Sequence, residues 1–257
     1  MARAYRQDFE RDFTPQRYDE VMREAGVDTA LIFGVRATAV GIATPNDYVQ
    51  WFCEQTETNT IPFMALDLAD EDLFEQLADG LARGFRGVKL YPTSARVDPR
   101  DLKHDTFYRR LIQEGLVVLW HMGATPIPSA RLDVSQPLVI DEVARRHPDL
   151  VQIIAHMAHP WQRETVIAVR KNPNVYTDVS AAWARPLDGY AALVRAQEWG
   201  VVPKLLFGSD FPHWTPAQAV TGLWELAARK PEGLPHIEDS TIEHLVESDH
   251  IATLGLR

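Results

Sequence analysis

The chain has 257 residues, of which 46% are hydrophobic and 24% are charged, so it is long enough to bury a large core. Its formal net charge of −10 argues against a nucleic acid or an anionic membrane as a partner, because those require a basic surface. The single cysteine, Cys53, excludes an intrachain disulfide and favours a reducing compartment, for which we expect the cytoplasm. No apolar run approaches the roughly 18 residues that cross a bilayer.

Short apolar runs, mostly rich in β-branched or aromatic residues, alternate with amphipathic stretches along the chain. These runs predict the strands Thr29–Val35, Thr60–Leu66, Arg86–Tyr91, Leu116–His121, Val151–His156, Asn174–Val179 and Lys204–Ser209. Helices are predicted between them. Three of these helices should begin with an N-cap threonine followed by proline at the first helical position, at Thr14, Thr44 and Thr215. The C-terminal stretch Ser240–Leu256 is also predicted to be helical.

Strands and helices that alternate with a repeat of roughly 30 residues are typical of right-handed βαβ units. An open doubly wound sheet and a closed barrel of parallel strands both satisfy this pattern. The absence of Gly-x-Gly-x-x-Gly and of a Walker-type glycine loop favours the barrel. We therefore predict a (β/α)8 barrel of the TIM type that forms a single domain over residues 1–257. Because residues 1–13 carry no strand pattern and a helix follows them directly, we expect the first strand to be missing and to belong upstream of Met1.

Three predicted strands run into a residue that can bind a metal or move a proton: His121, His156 and Asp210. Burying an ionisable group costs free energy unless something compensates, so three such groups at strand ends indicate a shared site. In a parallel barrel, the carboxyl ends of the strands carry the active site. The alternative for each histidine is a core residue bonded to a backbone carbonyl, and Asp210 could instead cap a turn.

Aromatic and charged residues follow the later strands and are candidates for binding a substrate. We predict this role for Trp183, Arg185 and His213, with Arg185 holding a carboxylate through two hydrogen bonds. The alternatives are loop packing for His213 and an exposed arginine for Arg185. Asp178 could equally line the pocket or cap a loop. Histidines away from strand ends are predicted to lie on the surface: His104, His147, His236, His244 and His250.

Five segments, in this order, carry a resemblance to one family: Gly84–Pro92, Leu119–Gly123, Ile154–Met157, Asn174–Ser180 and Leu206–Pro212. The chain resembles the amidohydrolase-related (amidohydrolase 2) branch of the metal-dependent amidohydrolase superfamily. Members of this branch include aminocarboxymuconate-semialdehyde decarboxylase and pyrone-dicarboxylate lactonases.

The resemblance implies a distorted (β/α)8 barrel with one divalent metal ion, zinc or manganese, at its mouth. It implies that His121 and Asp210 are metal ligands and that Asp210 can also accept a proton. His156 would be an acid, a base or an electrostatic group that faces the substrate, titrating near neutrality. Lys89 stands where some amidohydrolases carry a carbamylated lysine that bridges two metals.

One part of the family pattern is missing. Members begin with a strand that ends in His-x-His and supplies two metal ligands, whereas the earliest histidine in this sequence is His104. A catalytic zinc usually has three protein ligands, and His121 with Asp210 provides only two. Three explanations stay open: the chain is a truncated form of a longer protein, other residues such as His159 complete the site, or the metal chemistry has been lost.

The leading hypothesis is therefore a metal-dependent hydrolase that acts on a small organic substrate, aromatic or carboxylated, through a metal-activated water. The first alternative is a non-oxidative decarboxylase on the same site. The second is a catalytically silent barrel that binds a ligand or a partner chain. Because an incomplete barrel exposes unpaired strand edges, we also expect a homo-oligomer that associates across the gap, or a chain that is poorly stable alone.

Overall fold

The computed structural model describes residues 14–257, so the expectations for residues 1–13 lie outside the described residues. In chain order the strands are β1 (Thr29–Phe33), β2 (Arg36–Ala37), β3 (Ile42–Ala43), β4 (Asn59–Ala65), β5 (Gly87–Leu90), β6 (Val117–Trp120), β7 (Gln152–Ile154), β8 (Val175–Asp178) and β9 (Leu205–Leu206). The helices are α1 (Pro15–Glu24), α2 (Asn46–Gln55), α3 (Leu73–Ala82), α4 (Pro92–Ala95), α5 (Asp105–Gln113), α6 (Pro137–Arg146), α7 (Gln162–Lys171), α8 (Pro186–Glu198), α9 (Pro216–Ala227), α10 (Asp239–Glu247) and α11 (His250–Thr253).

Seven parallel strands form one curled sheet in the order β1-β4-β5-β6-β7-β8-β9. Each predicted strand is present, and the predicted fold of the TIM type is confirmed. Within residues 14–257, β1 and β9 are the edge strands of this sheet. Strands β2 and β3 form a short antiparallel hairpin that the sequence pattern did not predict. Among the same residues, no helix is long and apolar enough to cross a membrane.

Apolar side chains cover both faces of the sheet, as expected for parallel strands between helices and a barrel interior. The larger cluster lies between the sheet and the helices and includes Trp120, Tyr108 and Phe107. The smaller cluster fills the barrel interior with residues such as Phe63 and Leu119. Leu254 and Leu256, which follow α11, pack into that interior. Burying each of these leucines contributes about 1.5–3 kcal/mol, so the C-terminal segment stabilises the barrel core.

The proline-marked helix starts were predicted with mixed success. Thr14 caps α1, where its side chain accepts the Arg17 N–H at 3.2 Å, and Thr215 begins α9 with a capping box. The prediction for Thr44 is wrong, because Pro45 is the N-cap residue of α2 and the Thr44 hydroxyl accepts the Val35 N–H at 3.1 Å. The C-terminal stretch predicted to be helical, Ser240–Leu256, contains two separate helices, α10 and α11.

The register of the parallel strands brings their carboxyl ends to one edge of the sheet. Leu90 pairs with Trp120, and Trp120 in turn pairs with Ile154. Ile154 pairs with Thr177, and Asp178 pairs with Leu206. The residues that follow β6, β7, β8 and β9 therefore meet at one end of the barrel, which is where the sequence predicted a site.

Candidate active site

The structure brings the two predicted site histidines together at the carboxyl ends of the strands. His121 follows β6 directly, and its N–H donates to the Leu90 carbonyl at 2.8 Å. His156 lies in a 3-10 turn, Ala155–Ala158, immediately after β7. The centroids of the two rings are 5.1 Å apart, with the rings nearly perpendicular at 71°.

The turn that carries His156 has an unusual backbone. His156, Met157 and Ala158 have φ values of 58°, 48° and 49°, in the left-handed region that side chains rarely adopt. Gly123 allows this turn to pack closely, because a Cβ added there would lie 2.5 Å from the His159 carbonyl oxygen. Since the strain of such residues persists only where the surroundings fix it, the turn holds His156 in one position.

Asp178, the last residue of β8, is the main polar support of that turn. Its Oδ1 accepts the backbone N–H of His156 at 3.1 Å and that of Ser180 at 3.0 Å. The Ser180 hydroxyl also donates to Oδ1, and the Ser180 oxygen lies 2.6 Å from Nδ1 of His156. Asp178 thus caps its own loop and also lines the cavity described below, so both alternatives left open for it hold.

Asp210 lies further from its strand than the sequence predicted. Strand β9 ends at Leu206, and the chain from Phe207 onward leaves the sheet before it reaches Asp210, whose φ is 59°. Burial, and then repulsion by Asp178, raise the pKa of Asp210 to about 7 against the opposing charges of Lys89 and Arg185. Asp210 can therefore exchange a proton near neutral pH.

Lys89, in β5, is the buried cation of the site, with 2% of its surface exposed. Its Nζ lies 4.9 Å from the ring centroids of both Phe33 and Tyr91. Burial lowers the pKa of Lys89 to about 8, although Asp178 and Asp210 favour its charged form. The sequence pointed to Lys89 only as a possible metal bridge and gave no sign of this aromatic cage.

Both site histidines are held in the neutral form at pH 7. Desolvation, followed by the charges of Lys89 and Arg185, lowers the pKa of His156 to about 3. Desolvation, His156 and Lys89 lower the pKa of His121 well below its ordinary value. The expectation that His156 titrates near neutrality is therefore wrong, because the site is both desolvated and cationic.

The described part of the chain does not complete the metal site that the family pattern implies. Within residues 14–257, no three His, Cys, Asp or Glu side chains are placed to hold one metal ion. His159 belongs to no such group among these residues, and its Nδ1 lies 2.8 Å from the Gln162 amide and 3.7 Å from the Asp188 carboxylate. His121 and Asp210 alone fall short of the three protein ligands that a catalytic zinc usually has.

A cavity of about 1130 Å³ follows the gap between the two edge strands and opens at the site. It is lined by β1 on one side and by the segment from Leu206 to Trp214 on the other. Lys89, His121, His156 and Asp178 also line it. Arg185 and His213, predicted to bind a substrate, both line it. Trp183 is not among its lining residues and packs against α9, so its contact with a substrate stays a prediction.

Two histidines predicted to lie on the surface are buried. His104 and His147 are 3% and 6% exposed, and Nε2 of His147 lies 2.9 Å from the Asp105 carboxylate. The surface prediction for them is wrong, because their burial depends on partners in other helices and turns rather than on a strand-end position.

A sequence profile of the family described as Amidohydrolase matches residues 2–241 of this chain. The chain belongs to the amidohydrolase family. The resemblance stated from the sequence is therefore confirmed. No curated protein sequence matches this family member.

Solved structures with the same fold include hydrolases and a decarboxylase. A protein described as a probable 2-pyrone-4,6-dicarboxylic acid hydrolase from Acinetobacter baumannii is 14% identical, with a TM-score of 0.69 over 97% of this chain and 92% of that one. The structure of 2,6-dihydroxybenzoate decarboxylase is 17% identical, with a TM-score of 0.68 over 95% of this chain and 89% of that one. An amidohydrolase from Burkholderia multivorans with bound zinc is 14% identical, with a TM-score of 0.70 over 96% of this chain and 90% of that one. At such identities, these likenesses show the amidohydrolase fold alone.

Proposed function

We propose that this amidohydrolase-family chain is a hydrolase that opens an ester or lactone bond in a small carboxylated molecule. The observation that carries the proposal is the placement of Asp210, whose pKa is raised to about 7, in one cavity with Lys89 and Arg185. A proton-exchanging carboxyl beside two cations is suited to a reaction in which an anionic substrate develops further negative charge.

The chemistry is assigned to the side chains of this chain. An ionised Asp210 would take the proton of a water as its oxygen adds to the substrate carbonyl. The Lys89 ammonium, held in its aromatic cage, would stabilise the oxyanion that forms. When the carbon–oxygen bond breaks, the protonated Asp210 would return the proton to the leaving alkoxide. Asp210 ends the cycle in its starting state.

Arg185 and Trp214 give the proposed substrate its class. Both line the cavity, and a guanidinium can hold a substrate carboxylate through two parallel hydrogen bonds. Trp214 is 9% exposed and offers an apolar edge to a flat ring or chain. The preferred substrates are therefore small molecules with an ester or lactone beside a carboxylate.

One observation favours a second candidate, a non-oxidative decarboxylase. Near pH 7 about half of the Asp210 side chains carry a proton that could be delivered to carbon as carbon dioxide leaves. Asp178 lines the same cavity and would repel a substrate carboxylate placed beside it, which favours loss of that group.

Product analysis separates the two candidates. We would incubate the protein with 2-pyrone-4,6-dicarboxylate and with 2,6-dihydroxybenzoate, and with related lactones and hydroxybenzoates, in D2O. Mass spectrometry of a hydrolysis product shows the gain of one water. A decarboxylation product shows the loss of carbon dioxide and a deuteron on carbon. Folded protein that converts no compound in the panel would overturn both and favour a barrel that only binds a ligand.

A variant pair tests the role of Asp210 in whichever reaction is seen. Asp210→Asn should lower kcat by about 100-fold or more, because the amide cannot exchange the proton. Asp149→Asn, at an exposed position between α6 and β7, is the matched control and should leave kcat unchanged. The same assay with chelator, and then with added zinc or manganese, tests the divalent metal ion that the family pattern predicts. Activity that requires the added ion would overturn the assignment of the chemistry to the side chains of this chain alone.

A further inference from the structure

The wall of the cavity contains a hydrogen-bonded chain of three side chains, Asp178, Ser180 and His156. The Ser180 oxygen lies 2.6 Å from Nδ1 of His156, and the Ser180 hydroxyl donates to the Asp178 carboxylate. Ser180 is 5% exposed, so water has little access to compete for these bonds. The chain links the end of β8 to the turn after β7.

The direction of each hydrogen bond follows from the number of protons available. A serine hydroxyl has one hydrogen, whereas a carboxylate can only accept. If Ser180 donates to Asp178, the Ser180 oxygen can only accept from the imidazole. Nδ1 of His156 must then carry the ring proton, because two facing lone pairs at 2.6 Å would repel each other.

Other contacts fix the position of the imidazole as well as its proton. Asp178 Oδ1 also accepts the backbone N–H of His156 at 3.1 Å, so one carboxylate binds both the main chain of His156 and the Ser180 hydroxyl that contacts its ring. The centroid of the His121 ring lies 5.1 Å from that of the His156 ring. The ring is therefore held in one orientation in which its remaining nitrogen, Nε2, is not used by Ser180.

We propose that Asp178 and Ser180 are positioning residues that fix the neutral His156 ring as its Nδ1–H tautomer, with Nε2 as a hydrogen-bond acceptor at the cavity. The group bound there must then donate an O–H or N–H, which fits an attacking water or a substrate hydroxyl and excludes a bare carboxylate oxygen. The identity of this donor rests on the proposed function, whereas the tautomer itself does not.

The tautomer can be measured on the whole protein without any substrate. Histidine labelled with 15N distinguishes protonated from unprotonated ring nitrogens in long-range 1H–15N correlation spectra. The protein has nine histidines, and the loss of one signal set in His156→Gln assigns His156. We expect a protonated Nδ1 and an unprotonated Nε2 in the wild type. An Nε2–H tautomer or a doubly protonated ring would overturn the proposal, even if the hydrolase assignment stands.

Three variants test whether Ser180 causes this preference. Ser180→Ala removes the acceptor and should shift the tautomer ratio of His156 by about tenfold towards Nε2–H, which corresponds to about 1.4 kcal/mol. Ser180→Thr keeps the hydroxyl and should retain the wild-type tautomer. Ser209→Ala is the matched control, because Ser209 lies at the same end of the barrel and its hydroxyl accepts the Phe211 N–H at 3.3 Å. A folded Ser180→Ala protein that keeps the wild-type tautomer of His156 would overturn the proposal that Asp178 and Ser180 fix this tautomer.

Discussion

The raised pKa of Asp210 predicts a specific dependence of stability on pH. In the native state Asp210 keeps its proton up to about pH 7, whereas in the unfolded chain it loses it near the ordinary value of 3.8. Between these values the unfolded state binds fewer protons than the native state. The contribution of Asp210 to the free energy of unfolding is therefore fully present below the unfolded-state pKa of 3.8, and it is lost as the pH rises through the native pKa of about 7.

The size of this effect follows from the difference between the two pKa values. A difference of about three units at 1.36 kcal/mol each gives about 4 kcal/mol as an upper limit. The Asp210→Asn protein has no carboxyl to ionise at this position. Because about two of these three units lie above pH 5, its free energy of unfolding, relative to the wild type, should rise by about 2–3 kcal/mol between pH 5 and pH 8.

Urea unfolding of both proteins across this range measures the difference directly. Titrating groups that do not interact with Asp210 contribute equally in both proteins, so their contributions cancel in the comparison. Asp133→Asn is the control, because a hydrogen bond from Arg131 lowers the pKa of Asp133 rather than raising it. Asp133 therefore titrates below this pH range, and the difference in the free energy of unfolding between Asp133→Asn and the wild type should stay constant from pH 5 to pH 8. Equal differences for Asp210→Asn at pH 5 and pH 8 would refute the assignment of a raised pKa.

Three further predictions concern the metal, the His156 turn and the assembly. Because no three His, Cys, Asp or Glu side chains of residues 14–257 are placed to hold one metal ion, the purified chain should retain less than one zinc per chain by plasma mass spectrometry. One tight equivalent, lost in both His121→Ala and Asp210→Ala, would contradict this. In a thermal unfolding assay, Gly123→Ala should lower the free energy of unfolding by about 1–3 kcal/mol, because Gly123 has a φ of 98° and an added Cβ would meet the His159 carbonyl. Gly26→Ala is the control: Gly26 also has a positive φ, but an added Cβ would lie in open space, so the loss of stability should be smaller. We propose a homo-oligomer that associates through the β1 and β9 edges, so light scattering should show more than one chain per particle; a monodisperse and thermally robust monomer would count against it.

The sequence predicted the seven strands because buried parallel strands are continuous apolar runs with clear ends. The end of β9 was misjudged, since Phe207-Gly208-Ser209 continues the apolar pattern although the chain has already left the sheet. The β2–β3 hairpin has two residues in each strand, too few for any periodicity. Strand ends in the sheet depend on the neighbouring strand, which local sequence does not reveal.

The position of the site was predictable, whereas its electrostatics were not. His121, His156 and Asp210 are marked by their places after apolar runs, and all lie at the predicted edge of the sheet. The pKa of His156 depends on Lys89, which is distant in the chain and lies on another strand. The support from Asp178 depends on β7 and β8 being neighbours.

The charges of the cavity divide the work between its residues. Three groups with pKa values of about 3, 7 and 8 share the site: His156, Asp210 and Lys89. At neutral pH His156 stays neutral and Lys89 stays mostly charged, so only Asp210 changes its protonation readily. Groups whose environments separate their pKa values in this way can be given distinct roles. In the proposed hydrolysis the Asp210 carboxyl moves the proton and the Lys89 ammonium stabilises the oxyanion, so substitutions at these two positions should affect different steps.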